Sequence, residues 1–171
     1  AGGTNWADTA TGEPEELYTL SGGREHTLAI KTDGTLWTWG SNQFGQLGDN
    51  TTINISTPVT TFVGGTNWKQ VSGGYTHTAA IKTDGTLWTW GYGGFGNLGN
   101  NVGGNIVTPV TTFAGGTNWK QVSGGSNNTA AIKTDGTLWV WGSNITLKLG
   151  INANTTENRS TPVTTFAGGT N

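Results

Sequence analysis

The chain has 171 residues, with 30 Gly, 9 Trp, 33 Thr and 17 Asn, and neither Cys nor Met. Without Cys there is no disulfide framework, no thiolate metal site and no cysteine nucleophile, and no run nears the roughly 18 apolar residues of a spanning helix. Eight basic against ten acidic residues leave a net charge of -2 with no basic block, so a nucleic-acid footprint and membrane insertion are not expected.

Thr, Val, Trp and Gly dominate over helix formers, an all-β composition rich in turns. The start at Ala1, without Met, reads as processing or excision from something longer, with any signal peptide already removed. Between Trp6 and Ser21 lies an acidic insertion, ADTATGEPEEL, which reads as a solvated loop or short helical turn. From Ser21 onward the chain repeats. Ser21-Gly22-Gly23 returns at Ser72 and Ser123, KTDGTLW starts at Lys31, Lys82 and Lys133, and TPVTTF starts at Thr57, Thr108 and Thr161. The step is 51 except for the last, which is 53 and marks a two-residue insertion within INANTTENRSTP.

Within one unit, Thr27 to Thr32 reads as a strand, Asp33-Gly34 as a two-residue type I′ turn, and Thr35 to Trp39 as the returning strand. Trp37 and Trp39 then share one face, as core between neighbouring sheets, and Leu36 and Thr38 share the other. Val59 to Phe62 follows as a third strand with Pro58 at its start, and Asn67 to Ser72 as a fourth. Four antiparallel strands per unit of about 50 residues make a β-propeller blade. Solenoid repeats are shorter or helical, and the kelch pattern of glycines and aromatics matches less well.

The series Gly23, His26-Thr27, Ala29-Ile30, Asp33-Gly34, Trp37, Trp39-Gly40, Asn42 and Gly45-Gln46-Leu47-Gly48 resembles the repeat of the RCC1 (regulator of chromosome condensation) family. The second copy departs slightly; the third has Asn128 for the His and loses most of the GQLG element. The fold class expected is therefore all-β, an RCC1-like propeller of about three four-stranded antiparallel blades, either an incomplete ring or a segment of a larger array. Residues 1–20 read as a partial blade end plus the acidic insertion. Residues 21–71, 72–122 and 123–171 are the three repeats, the last truncated before its final strand. The chain begins and ends with AGGTN, as a cut through a continuing repeat would leave it. Three blades cannot close a ring, so further repeats or other copies of the protein are expected to complete a ring or fibre.

No catalytic constellation emerges. The string Gly91-Tyr92-Gly93-Gly94-Phe95-Gly96 fits GxGxxG, but no helix follows it, so these are turn glycines and no cofactor is expected. His26 and His77 read as structural residues at strand starts, bonded to nearby backbone, and Asp33, Asp84 and Asp135 as turn residues that cannot bind a metal alone. Six N-glycosylation sequons start at Asn50, Asn54, Asn127, Asn144, Asn154 and Asn158, and carry weight only in a eukaryotic source.

Candidate binding residues are those that vary between otherwise near-identical units, because repeat scaffolds place specificity in variable loops. Arg24-Glu25 becomes Tyr75-Thr76 and then Ser126-Asn127, Tyr92 has no aromatic counterpart, and Phe44 becomes Phe95 and then Thr146. The candidate surface is Arg24, Glu25, Tyr75, Tyr92 and Phe95. The family's guanine-nucleotide exchange activity depends on an inserted wedge and basic surface, neither of which is visible here. Near-identical, Thr- and Asn-rich repeats resemble bacterial and phage surface arrays. The expectation is thus a non-catalytic module located extracellularly, at the cell surface or on a virion, serving adhesion, receptor or glycan binding, or fibre structure. An intracellular protein-interaction propeller of the exchange-factor type is the alternative.

Overall fold

Among the described residues most Thr-, Val- and Trp-rich runs become strands, although the one read as Val59 to Phe62 ends at Thr60, and the Gly-containing segments between them become turns. The computed structural model describes residues 19–151 and 155–165, and its described residues contain strands and no helix. The acidic insertion, both AGGTN ends and the Asn154 sequon lie outside them.

Three antiparallel sheets follow one another. Blade 1 comprises β1 (Thr19–Gly22), β2 (His26–Ile30), β3 (Leu36–Gly40) and β4 (Ile55–Thr60). Blade 2 comprises β5 (Trp68–Gly73), β6 (His77–Lys82), β7 (Leu87–Gly91) and β8 (Ile106–Thr111). Blade 3 comprises β9 (Trp119–Gly124), β10 (Asn128–Lys133), β11 (Leu138–Gly142) and β12 (Arg159–Thr164). In each sheet the strands lie in chain order.

Sheet and sequence repeat are out of phase. The Trp-Lys-Gln-Val strand, expected to close a unit, instead opens the next sheet: Val71 pairs with Ala80 of β6, and Val122 with Ala131 of β10. The third sheet is therefore complete, with most of its first strand drawn from the second repeat.

The hairpin also differs from expectation. A type I′ turn needs positive φ at both central residues, whereas of Asp33 and Gly34 only Gly34 has it, at 81°. Gly34 N donates to Lys31 O at 2.9 Å and Lys31 N to Thr35 O at 3.0 Å, which makes a three-residue loop with glycine in the left-handed position. Side chains then fix the motif. Trp37 Nε1 donates to Thr35 Oγ1 at 2.8 Å, and that hydroxyl donates to Asp33 Oδ1 at 2.6 Å. The same chain runs from Trp88 through Thr86 to Asp84, and from Trp139 through Thr137 to Asp135. The threonine hydroxyl holds each of these aspartates below the usual carboxylate range. Pro58 lies inside β4 rather than at its start, tolerated on an edge strand where the β3–β4 register breaks.

The core lies between blades. Leu28, Ile30 and Leu36 of blade 1 pack on Trp68, Val71, Ala80 and Trp90 of blade 2. Ala79, Ile81 and Leu87 of blade 2 pack in the same way on Trp119, Val122, Ala131 and Trp141 of blade 3. Trp68 meets Trp88 and Trp90 edge-on at centroid distances of 6.1 and 6.0 Å, a favourable aromatic geometry. Lys82 lies across Trp68 and Trp88, its Nζ 4.7 and 4.5 Å from the ring centroids, and Lys133 bridges Trp119 and Trp139 likewise.

Candidate functional site

Strands β1, β5 and β9 pack against one another and so form the inner edges of the blades. The Ser-Gly-Gly triplet is the stitch between them. Ser21 Oγ accepts from Gly73 N at 3.1 Å and Ser72 Oγ from Gly124 N at 2.9 Å. Glycine is required at this approach, since a Cβ on Gly73 would lie 2.6 Å from Gly23 N. Gln70 adds a reciprocal pair with the Val122 backbone, at 3.3 and 3.1 Å.

The histidines close each joint from side chain to side chain rather than to backbone as expected. His26 Nε2 lies 3.0 Å from Thr78 Oγ1, and His77 Nε2 lies 2.9 Å from Thr129 Oγ1. Each threonine hydroxyl gives its one proton to a backbone carbonyl, Thr78 to Gln46 O and Thr129 to Asn97 O. It can therefore only accept from the histidine, which must carry its proton on Nε2. The other ring nitrogen, Nδ1, is buried without a partner in both residues. Burial pushes His26 down to about 4 and His77 to about 3, so both are neutral near pH 7. They act as structural donors across the joints.

These same turns carry the variable residues to one end of the blades. Tight Gly23 N to His26 O and Gly74 N to His77 O bonds, both 2.8 Å, project Arg24-Glu25 and Tyr75-Thr76 outward. Arg24 Cζ stacks 4.1 Å above the Tyr75 ring and its Nε lies 3.5 Å from Glu25 Oε1. Beside Tyr75 opens a cleft of about 560 Å³, walled by Phe44, Tyr92 and Phe95, with Thr76, Ser126 and Asn127 at its polar side. Tyr92 sits edge-on between Phe44 and Phe95, with centroid distances of 5.2 and 5.7 Å.

Of the five candidates read from the sequence, Arg24, Tyr75, Tyr92 and Phe95 thus share one surface, with Tyr75 joining the cleft to a hollow above the inner strands that Arg24 lines. Glu25, whose carboxylate pairs with Arg24, also lines a separate hollow of blade 1 near Gly40 and Ile55. Phe44 and Asn127, which also vary between the repeats, line the same cleft. Gly91 ends β7, and Tyr92 to Gly96 is a loop running into Asn97-Leu98-Gly99, where Gly96 meets β12 closely. Among the sequon residues Asn144 is buried and holds Leu149 N and Thr155 O, so it is not available to a glycan. Among the described residues no three His, Asp or Glu side chains gather as a metal site would need.

A family model for the regulator of chromosome condensation (RCC1) repeat matches residues 33–81, and a second RCC1-repeat model matches 19–46, 68–97 and 119–145. The chain belongs to the RCC1 repeat family. It is similar to the ultraviolet-B receptor UVR8 of Arabidopsis thaliana, 33% identical over 138 residues, which is 79% of this chain and 31% of that protein. It is also similar to the mitochondrial RCC1 domain-containing protein RUG3 of Arabidopsis thaliana, 34% identical over 151 residues, covering 86% of this chain and 33% of the relative. The RCC1 chain here thus spans about a third of the length of these two relatives. Among solved structures, Prp20p of Saccharomyces cerevisiae superposes with a TM-score of 0.77 at 20% identity, over 91% of this chain and 40% of that one, which shows the propeller fold.

The RCC1 assignment makes this a propeller domain of a kind that supports protein interaction, and the matching family models are not catalytic ones. It also overturns the expected extracellular, cell-surface or virion location. One RCC1 relative is named for the mitochondrion, and Prp20p is described by its binding to Gsp1p and histones, which places these relatives inside cells.

Proposed function

We propose that this chain is a non-catalytic protein-binding segment of a larger RCC1-type propeller, and that it binds through the end carrying Arg24, Tyr75, Tyr92 and Phe95. One observation carries the reading: positions that differ between near-identical repeats converge on one aromatic cleft, while the repeated residues are spent on the joints. Aromatic and Arg side chains are the usual anchors of protein interfaces. A protein partner is favoured over a glycan because Prp20p is described by binding to Gsp1p and histones. Further repeats, rather than other copies, complete the ring on this reading, since the relatives are about three times longer.

The test compares proteins retained from a native extract by the immobilised chain and two variants. Tyr75→Ala/Tyr92→Ala should lose the specific partners, while Phe113→Ala, in the β8–β9 connection away from the cleft, should keep them. Retention by the tyrosine variant with loss by the phenylalanine variant would move the site elsewhere.

A further inference from the structure

We propose that Leu147 is a specificity-determining residue that bars a second copy of this chain from docking on the open face of blade 3. Both joints within the chain place the loop after the third strand of one blade against the outer strand of the next. In the first joint Gly45 has φ 82°, and a Cβ there would lie 2.7 Å from Val107 Cα and 3.1 Å from Ile106 O. In the second, Gly96 has φ 77°, and its Cβ would lie 2.7 Å from both Ser160 Cα and Arg159 O. These are backbone atoms of a strand held in a sheet, so glycine is required at both places.

The corresponding residue of blade 3 is Leu147, at φ 58°. Its loop keeps the same path. Leu147 N donates to Asn144 O at 2.9 Å, as Gly45 N does to Asn42 O and Gly96 N to Gly93 O. Leu149 is buried like Leu47 and Leu98. A branched side chain is thereby added, with no change of backbone, where the outer strand of a following blade would run. The histidine donor is gone too, since Asn128 stands where His26 and His77 reach across.

The rest of that face still matches a joint. Ile132 and Leu138 stand where Ile81 and Leu87 are buried, and Leu138 is 36% exposed against 1% for Leu87. At the other end of the chain Leu20, 62% exposed, occupies the place of the buried Val71, and Ile55-Ser56 the place of Ile106-Val107. The two ends are thus halves of one head-to-tail contact, a kind that closes into rings or propagates into fibres. Leu147 keeps them apart.

Sedimentation velocity over a concentration series tests this with the 171-residue chain. The variants are Leu147→Gly, Leu147→Asn and Leu147→Gly/Leu20→Asp. Glycine accepts a positive φ without steric cost, so Leu147→Gly should fold, and its near-ultraviolet circular dichroism and thermal midpoint check that. The parent chain and Leu147→Asn should stay monomeric, Leu147→Gly should gain mass with concentration, and Leu20→Asp should abolish the gain. The proposal is overturned if the parent associates as strongly as Leu147→Gly, if Leu147→Gly stays monomeric, or if its association survives Leu20→Asp.

Discussion

Replacing His77 with Asn, the residue that stands at position 128 of the third repeat, should remove about half of the acid sensitivity of folding. The folded chain holds His77 at about 3 and His26 at about 4, both because burial disfavours the imidazolium. In the unfolded chain both titrate near the ordinary value of about 6.5. Above that value neither state takes up protons and the two residues add no pH dependence. As the pH falls below it, the unfolded chain binds protons that the folded chain refuses, so stability drops until the folded values are reached. At about pH 5 each histidine lowers stability by about 2 kcal/mol relative to about pH 7.5, or about 4 kcal/mol together. The chain has only these two histidines, and Asp33, Asp84 and Asp135 are held below the usual carboxylate range, so these three aspartates stay charged in the folded chain over this interval. Urea unfolding at the two pH values is the assay. The parent should lose about 4 kcal/mol, His77→Asn about 2, and His26→Asn/His77→Asn close to none. An undiminished loss in the double variant, or no loss in the parent, would refute the assignment of these rings as buried neutral donors.

Three further substitutions probe close backbone approach and the lysine–tryptophan contacts. Gly64 and Gly85 both have positive φ, but only at Gly85 would a Cβ overlap the backbone, at the Thr117 carbonyl. Gly64→Ala should therefore cost about 1 kcal/mol and Gly85→Ala about 2–4 kcal/mol, read as denaturant midpoints at constant m-value. Lys82→Met keeps an apolar stem between Trp68 and Trp88 but removes the charge, and should cost about 1–2 kcal/mol in the same measurement.

The strands and their core faces were legible because period-two patterns and repeated tryptophans report directly on sheet geometry. Trp88, Trp90, Trp139 and Trp141 stand on the inter-blade face predicted for them. The sheet boundaries were not legible, because a pattern that repeats at 51 looks the same wherever it is cut, and only the pairing of Val71 with Ala80 fixes the phase. The Asp-Gly turn misled because Thr35 and Asp33 bond each other across a wider loop, a side-chain effect invisible in the dipeptide. The partner of His26 is 52 residues away on another sheet, so no local reading could find it. The candidate surface was legible to the extent that variation among repeats marks loops.

The phase offset bears on how such a chain can grow. One 51-residue repeat encodes three strands of a blade together with most of the first strand of the next, and with that strand the glutamine that helps stitch the following joint. A duplicated or deleted repeat therefore always splits and rejoins at a joint of matching design, leaving no half-made sheet behind. Gene duplication can lengthen this array in whole blades from almost any breakpoint, and the fold is corrected by pairing rather than by where the DNA was cut.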